Sequence, residues 1–117
     1  MMNPIETFDN PYPDRDYLIR HEVEEFTSVC PMTGHPDFAE MTLLYVPAAT
    51  CIELKSFKLY LQGYRNEGIF YEAITNRILD DLVEACDPKW MNLETRWSTR
   101  GGIHSIIEVS HGEHPDE

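Results

Sequence analysis

Two helical segments stand next to each other in the middle of the chain, and a pair of strand-like segments lies on either side of them. At about 100° per residue, residues 53–66 and 69–86 each place apolar side chains on one helix face. These are Leu54, Phe57, Leu61 and Tyr64 in the first helix, and Ile74, Ile78, Leu82 and Ala85 in the second. Alternating or β-branched residues predict strands at 17–29, 38–46, 91–98 and 103–110. The order ββααββ predicts an α+β domain with a four-stranded antiparallel sheet and both helices on one face.

The two ends of the chain differ in composition from its middle. Residues 1–16 contain three prolines and scattered acidic residues, which predicts an irregular N-terminal arm. Residues 17–110 form the single predicted domain, and residues 111–117 an acidic flexible tail. An open four-stranded sheet exposes two edges that must be covered, so association between copies of the chain is expected.

The charge of the chain narrows its possible partners. Twenty-one acidic and nine basic residues give a net charge of −12, which argues against a nucleic-acid binder and against docking to anionic membranes. Lys55, Lys58 and Arg65 nevertheless fall in one short stretch whose only acid is Glu53. Such a stretch either binds a small anion or is an ordinary solvated helix face, and charge alone favours the solvated face.

The cysteines and histidines bear on compartment and metal content. Cys30, Cys51 and Cys86 are an odd number without the CxxC spacing of zinc sites, and no histidine pairs with a second ligand at a known metal spacing. The first residues lack the regions of a signal peptide, and no apolar run approaches the ~20 residues that span a bilayer. We expect a cytoplasmic protein with free thiols and no bound metal.

Cys30 and Asp37 flank a turn with two prolines and Gly34. A turn can bring a thiol and a carboxyl group together, as covalent catalysis with an acid partner requires. The spacing alone leaves a second interpretation open. A lone cysteine is more often a small buried hydrophobe, and an aspartate after proline is usually a turn residue.

Three further charged residues have two interpretations each. Glu53 and Glu72 flank the first helix and its turn, where they are either acceptors for a guanine-like N–H edge or solvated acids near helix starts. Arg100 precedes two glycines, where it is either a phosphate clamp or part of a plain hairpin turn.

Four segments of the chain, in the right order, match the sequence patterns of one known family. Residues 53–61 read ELKSFKLYL and resemble the signature E-S/L-K-S/A-apolar-K-L/Y-aromatic. Residues 26–40 read FTSVCPMTGHPDFAE and resemble the nucleophile segment FTSxCPxTGQPDFA. YRNEGIFYE at 64–72 and RGG at 100–102 resemble FRNxGxFHE and RGG. By these segments the chain resembles the 7-cyano-7-deazaguanine reductases, known as the QueF family, and the resemblance covers residues 17–110.

The resemblance implies roles for particular residues. It makes Cys30 the nucleophile that forms a thioimide with the nitrile and Asp37 the proton donor. Five residues would contact the deazapurine substrate: Ile52, Glu53, Leu54, Tyr71 and Glu72. Lys55, Lys58 and Arg100 would hold NADPH. It further implies no metal, no direct contact with nucleic acid or membranes, and the tunnelling fold, in which subunits join their sheets into barrels. Short members of this kind assemble as two face-to-face pentamers.

Two departures from the family pattern are present. Tyr71 stands where the family usually has histidine, and a tyrosine cannot carry a proton near neutral pH as an imidazole can. His35 replaces the common glutamine before Pro36.

Three alternative functions fit parts of the sequence. An amidinotransferase of the archaeosine type on the same fold would keep Cys30 and Asp37 but lack the Lys55 and Lys58 signature. A zinc cyclohydrolase would need Cys and His ligands at metal spacing. A non-catalytic acidic binding module would make the signature at 53–61 a coincidence.

Overall fold

The computed structural model describes residues 2–116 and has the predicted α+β architecture. It consists of the strands β1 (Thr7–Asp9), β2 (Ile19–Val29), β3 (Pro36–Val46), β4 (Thr50–Ile52), β5 (Trp90–Trp97) and β6 (Ile106–Gly112), and of the helices α1 (Leu54–Gln62) and α2 (Tyr71–Cys86). The four long strands form one antiparallel sheet in the order β2-β3-β5-β6. The predicted ββααββ order is therefore confirmed, with two short strands added to it.

The predicted irregular arm is wrong at one place, because Thr7–Asp9 pair with Thr50–Ile52 in a separate two-stranded sheet. A three-residue strand has no periodicity to detect, and it exists because β4 offers its backbone groups. The predicted tail is wrong at its start, since His111 and Gly112 pair with Met91 and Trp90 and belong to β6. Met1 of the arm and Glu117 of the tail lie outside the described residues.

Both helices pack on one face of the sheet, as predicted. The central strand β3 sends Met41, Leu43 and Tyr45 into the core, and α2 covers them with Ile74, Ile78 and Leu82. Leu54 is a correction to the predicted apolar face of α1, because 56% of this side chain is exposed. It is the first residue of the helix, where it is not covered by the sheet. Ala85 is only partly buried, and Cys86 completes the stripe in its place.

Different segments of the chain meet at the two ends of the four-stranded sheet. β2 ends and β3 begins at one end, where α2 also starts. At the other end, Ile19 pairs with Tyr45, and the Tyr45 hydroxyl accepts a 3.0 Å hydrogen bond from the Ile52 N–H just before α1. Neither described helix is long and apolar enough to cross a membrane.

Candidate functional site

The turn between β2 and β3 places Cys30 and Asp37 at the same end of the sheet. The Cys30 N–H donates to the His35 carbonyl at 2.8 Å, and the Gly34 N–H donates to the Cys30 carbonyl at 2.8 Å. Gly34 has φ +74°, a left-handed conformation that glycine adopts without strain. Asp37 lies directly opposite Ser28 in the β2–β3 ladder, two residues before Cys30. The structure therefore brings the predicted nucleophile and proton donor together.

The Cys30 thiol is partly exposed and chemically activated. Its pKa lies below the ordinary value because the Thr33 side chain, and then the backbone N–H groups of Met32 and Thr33, hydrogen-bond to the sulfur. Partial burial and the Asp37 carboxylate act in the opposite direction but do not prevail. A thiol of this kind forms the nucleophilic thiolate at a lower pH than a free cysteine does.

The Asp37 carboxyl group is buried, and one of its oxygens accepts a hydrogen bond and also forms an ion pair. Only 2% of the residue is exposed. The Tyr71 hydroxyl donates to Oδ1 at 3.2 Å, and the Arg100 Nε lies 3.0 Å from the same atom. Arg100 also donates to the Pro36 carbonyl. No hydrogen bond from the described residues reaches Oδ2, which leaves that oxygen available for a ligand.

The start of α2 is attached to the end of β2. The Val29 N–H donates to the Glu67 carbonyl at 3.0 Å, and the Ile69 N–H donates to the Val29 carbonyl at 3.3 Å, so that Val29 and Gly68 form a short parallel bridge. This attachment brings Tyr71 to Asp37. Burial first, and then the charge of Asp37, raise the pKa of Tyr71, so the phenol stays neutral near neutral pH.

Two residues near Asp37 could not be found from the sequence. The Trp97 ring stacks on the Tyr71 ring with centroids 4.0 Å apart and planes 10° apart. The Ser28 hydroxyl is buried and has no hydrogen-bond partner within residues 2–116. Buried hydroxyl groups are nearly always paired, so an orphan beside Asp37 suits a pocket that a polar ligand completes.

The other predicted substrate residues do not all lie here. Glu72 is exposed in the first turn of α2, next to Tyr71. Ile52, Glu53 and Leu54 lie at the opposite end of the sheet. Glu53 caps α1, accepting from the N–H groups of Lys55 at 2.7 Å and Ser56 at 2.9 Å, and these bonds lower its pKa.

A single chain cannot bring these two groups of residues together. Asp37 and Tyr45 are eight residues apart on β3, which at ~3.4 Å per residue is about 27 Å. Ile52 is hydrogen-bonded to the Tyr45 side chain near one end of β3, and Asp37 lies at the other end. We call the end with Cys30 and Asp37 the Cys30 end, and the end with Ile52, Glu53 and Leu54 the Glu53 end.

The predicted cofactor residues are divided in the same way. Lys55 and Lys58 are exposed on α1 and form no ion pair with the residues that the structure describes. Arg100, by contrast, is at the Cys30 end with Asp37. A cavity of about 490 Å³ separates α1 from β2, and Arg20, Lys58 and Arg65 are among its lining residues. Arg20 had no signal in the sequence, because β2 and α1 are far apart along the chain.

No group of three or more His, Cys, Asp or Glu side chains in the described part of the chain is arranged to hold a metal ion.

Comparison with known proteins gives consistent matches. The family model described as QueF-like protein matches residues 36–116. The chain is 61% identical over 109 residues to the NADPH-dependent 7-cyano-7-deazaguanine reductase of Chlorobaculum tepidum, with 93% of each chain covered. It is 52% identical over 113 residues to the protein of the same name from Rhodopirellula baltica, covering 97% of this chain and 91% of that one.

A solved structure supports the fold. The crystal structure of the archaeosine synthase QueF-Like in the apo form superposes with a TM-score of 0.77, covering 84% of this chain and 96% of that one. The two sequences are 23% identical, so this likeness concerns the fold alone. The tunnelling fold expected from the resemblance is thereby confirmed for the single chain.

Proposed function

Because the chain belongs to the family of NADPH-dependent 7-cyano-7-deazaguanine reductases, we propose that it reduces the nitrile of 7-cyano-7-deazaguanine to the aminomethyl group of 7-aminomethyl-7-deazaguanine, a step in queuosine biosynthesis. The observation that carries the proposal is the arrangement of Cys30 and Asp37 at the Cys30 end. There, an activated thiol and a buried carboxyl group with one unoccupied oxygen stand on either side of a tight turn.

The reaction begins when the Asp37 carboxylate takes the Cys30 thiol proton and the resulting thiolate adds to the nitrile carbon. A carbon–sulfur bond forms, and one π pair of the triple bond moves to nitrogen, where it takes the Asp37 proton. The product is a neutral thioimide on Cys30, and Asp37 is left as a carboxylate. Arg100 and the Tyr71 hydroxyl stabilise that carboxylate through Oδ1.

The remaining steps reduce the carbon and restore the enzyme. Each of two NADPH molecules would supply, when bound, one of the two hydrides that the carbon receives. After the first, the Cys30 sulfur leaves as thiolate and an imine remains, so no further proton is needed at this stage. Asp37, reprotonated by solvent, gives the second proton to nitrogen as the imine becomes the amine. Two hydrides and two protons account for the four hydrogens of the aminomethyl group.

Two sets of side chains would bind the ligands. The ammonium groups of Lys55 and Lys58 have no described ion-pair partner and suit the phosphates of NADPH, with Arg100 approaching from the turn before β6. Ile52, Leu54 and Tyr71 would contact the deazapurine, and Glu53 and Glu72 would accept its N–H groups. Glu72 is free to do so, since no described hydrogen bond reaches its carboxylate.

The proposed site requires more than one copy of the chain. The Cys30 end of one copy would meet the Glu53 end of another, in a homo-oligomer with the family's arrangement of two pentamers. The outer strands β2 and β6 support this, because each is paired on one side only in the four-stranded sheet. The three cysteines are free, which agrees with a cytoplasmic location.

The test is consumption of NADPH with 7-cyano-7-deazaguanine by the wild type, by Cys30→Ala and by Cys51→Ala as a buried-thiol control. We expect turnover and a covalent adduct, seen by intact mass without NADPH, for the wild type and Cys51→Ala only. An adduct in Cys30→Ala, or turnover by that variant, would contradict the mechanism. Light scattering tests the assembly, and a fully active protein with the 13.6 kDa mass of a monomer would contradict it.

A further inference from the structure

We propose that Trp97 is a positioning residue of this reaction, whose stacked indole holds the Tyr71 hydroxyl against Asp37. The inference rests on the proposed role of Asp37 as proton donor. Trp97 itself does not touch the substrate, because only 3% of the residue is exposed. It acts through a second side chain, and the structure gives each contact in that path.

The first contact is between the two rings. Tyr71 and Trp97 are nearly parallel, with centroids 4.0 Å apart and planes 10° apart. Trp97 is at the end of β5 and Tyr71 at the start of α2, so the stack joins the sheet to the helix beside the active carboxyl group. A face-to-face stack restricts the tyrosine ring in the direction in which it would otherwise tilt away.

The second contact is a line of hydrogen bonds that joins the same two residues beneath the rings. The Trp97 indole N–H donates to Thr95 Oγ1 at 2.9 Å. The Thr95 and Thr75 hydroxyl oxygens are 2.7 Å apart, and the Thr75 hydroxyl donates to the Tyr71 carbonyl at 2.8 Å. Since Thr75 uses its hydrogen on that carbonyl, Thr95 donates to Thr75. Every donor in the line has one acceptor, and both threonines are fully buried.

The two contacts together fix both the backbone and the ring of Tyr71. The hydroxyl lies at the far end of this ring, so a tilt of about 10° moves it by about 1 Å, a displacement large enough to cost as much as 100-fold in rate at a catalytic group. The hydroxyl donates to Oδ1 of Asp37, the same oxygen that forms the ion pair with the Arg100 guanidinium. Both contacts are therefore made by Oδ1, which leaves Oδ2 for the ligand that receives the proton. The position of Trp97 thus determines which carboxyl oxygen faces the substrate.

The experiment is a double-mutant cycle of Trp97→Leu and Tyr71→Phe in the full-length protein. If Trp97 acts through the Tyr71 hydroxyl, Trp97→Leu lowers kcat by about 10- to 100-fold when the hydroxyl is present and by no more than about twofold in the Tyr71→Phe background. The KM for 7-cyano-7-deazaguanine should change by less than about threefold in Trp97→Leu, since the buried Trp97 does not itself contact the substrate. Equal losses in the two backgrounds, or an effect on KM alone, would overturn the proposal.

Two variants separate positioning from general support of the fold. Trp90 is on the same strand at the opposite end, so Trp90→Leu matches the loss of an indole without touching Tyr71, and we expect its kcat to stay within about twofold. Trp97→Phe keeps an aromatic face and should restore most of the activity. If Trp97→Leu does not fold, the larger apolar side chain of Trp97→Met takes its place in the cycle, with the same expected losses. Wild-type turnover is measured in the same assay. Its absence would refute the proposed function, whereas turnover with an additive cycle refutes only the role of Trp97.

Discussion

The Cys30 end and the Glu53 end are built on opposite principles. At the Cys30 end, the Asp37 carboxyl group is buried, one of its oxygens contacts both the Tyr71 hydroxyl and the Arg100 guanidinium, and the Tyr71 ring stacks on Trp97. At the Glu53 end, Leu54 is exposed, and Lys55 and Lys58 have no described ion pair. Side chains that their neighbours hold rigidly suit bond making, where small displacements matter, and unpaired charges suit binding of a ligand that supplies the missing partners. At the Cys30 end the chain itself fixes the Asp37 carboxyl group, whereas at the Glu53 end the lysines are left for a partner from outside.

The strongest way to break this comparison is to inactivate the two ends in different chains. Cys30→Ala and the charge-reversed pair Lys55→Glu/Lys58→Glu should each be inactive alone. If a site combines ends from two copies, mixing and reassembling them at equal amounts restores about a quarter of wild-type activity by random assortment. Mixing Cys30→Ala with Asp37→Asn is the control and should restore nothing, because both residues are at the same end of the same chain. Failure of the first mixture would mean that one copy supplies all the groups.

A second prediction concerns the Cys30 end alone. Asp37→Asn removes the transferable proton but keeps the size of the side chain, so kcat should fall by about 10²- to 10⁴-fold. Asp80→Asn, on the exposed side of α2, should leave kcat unchanged. Steady-state rates and thermal melting are measured together. A folded Asp37→Asn variant with near-normal kcat would assign the proton to another group.

A third prediction concerns the Glu53 end. Lys58→Ala removes an ammonium group that has no described ion-pair partner, so the stability of the protein should change little. The KM for NADPH should rise about tenfold, the equivalent of ~1.4 kcal/mol of lost binding. Lys89→Ala is the matched control, because Lys89 already pairs with Asp16. Equal use of NADH and NADPH by the wild type would count against a phosphate site at these lysines.

The smallest expected effect is on the ionisation of Cys30. Thr33→Val removes the largest of the contacts that lower its pKa, so the rise of the thioimide-forming rate with pH should move to higher pH. At neutral pH the rate should fall about fivefold, as expected for ~1 kcal/mol of one lost hydrogen bond. Thr33→Ser keeps the hydroxyl and should behave as the wild type. Rate profiles against pH that coincide for Thr33→Val and the wild type would remove Thr33 from the mechanism.

The sequence predicted the main elements because their signals are periodic and local. The apolar stripe of α2 and the alternation in β5 required no knowledge of the rest of the fold. The strand β1 could not be predicted, because its three residues depend on a partner strand some forty residues later. β6 begins at Ile106, later than expected, because Gly101 and Gly102 both adopt positive φ and the turn extends through Ser105.

The contacts of the candidate site also include some that the sequence predicted and some that it could not. That Cys30 and Asp37 lie at the same end of the sheet was predictable, because one short turn joins them. The stack of Tyr71 on Trp97 was not, since the two residues meet only after α2 folds back onto the sheet. Arg100 was predicted to hold NADPH together with the two lysines, and its contact with Asp37 could not be predicted, because it depends on the direction of the turn before β6. The assignment of each residue to NADPH or to the deazapurine remains a prediction.

The bridge between Val29 and Gly68 has a consequence for any strand that extends the sheet beyond β2. Both main-chain hydrogen-bonding groups of Val29 are already engaged with Glu67 and Ile69. An incoming strand therefore finds unpaired backbone only on the part of β2 that precedes Val29, and it must stop there. In an assembly that joins sheets through β2, the bridge would limit how far the second strand can pair and so set the offset between the two copies. Lengthening the 67–69 segment would then change that offset without altering any side chain at the Cys30 end or the Glu53 end.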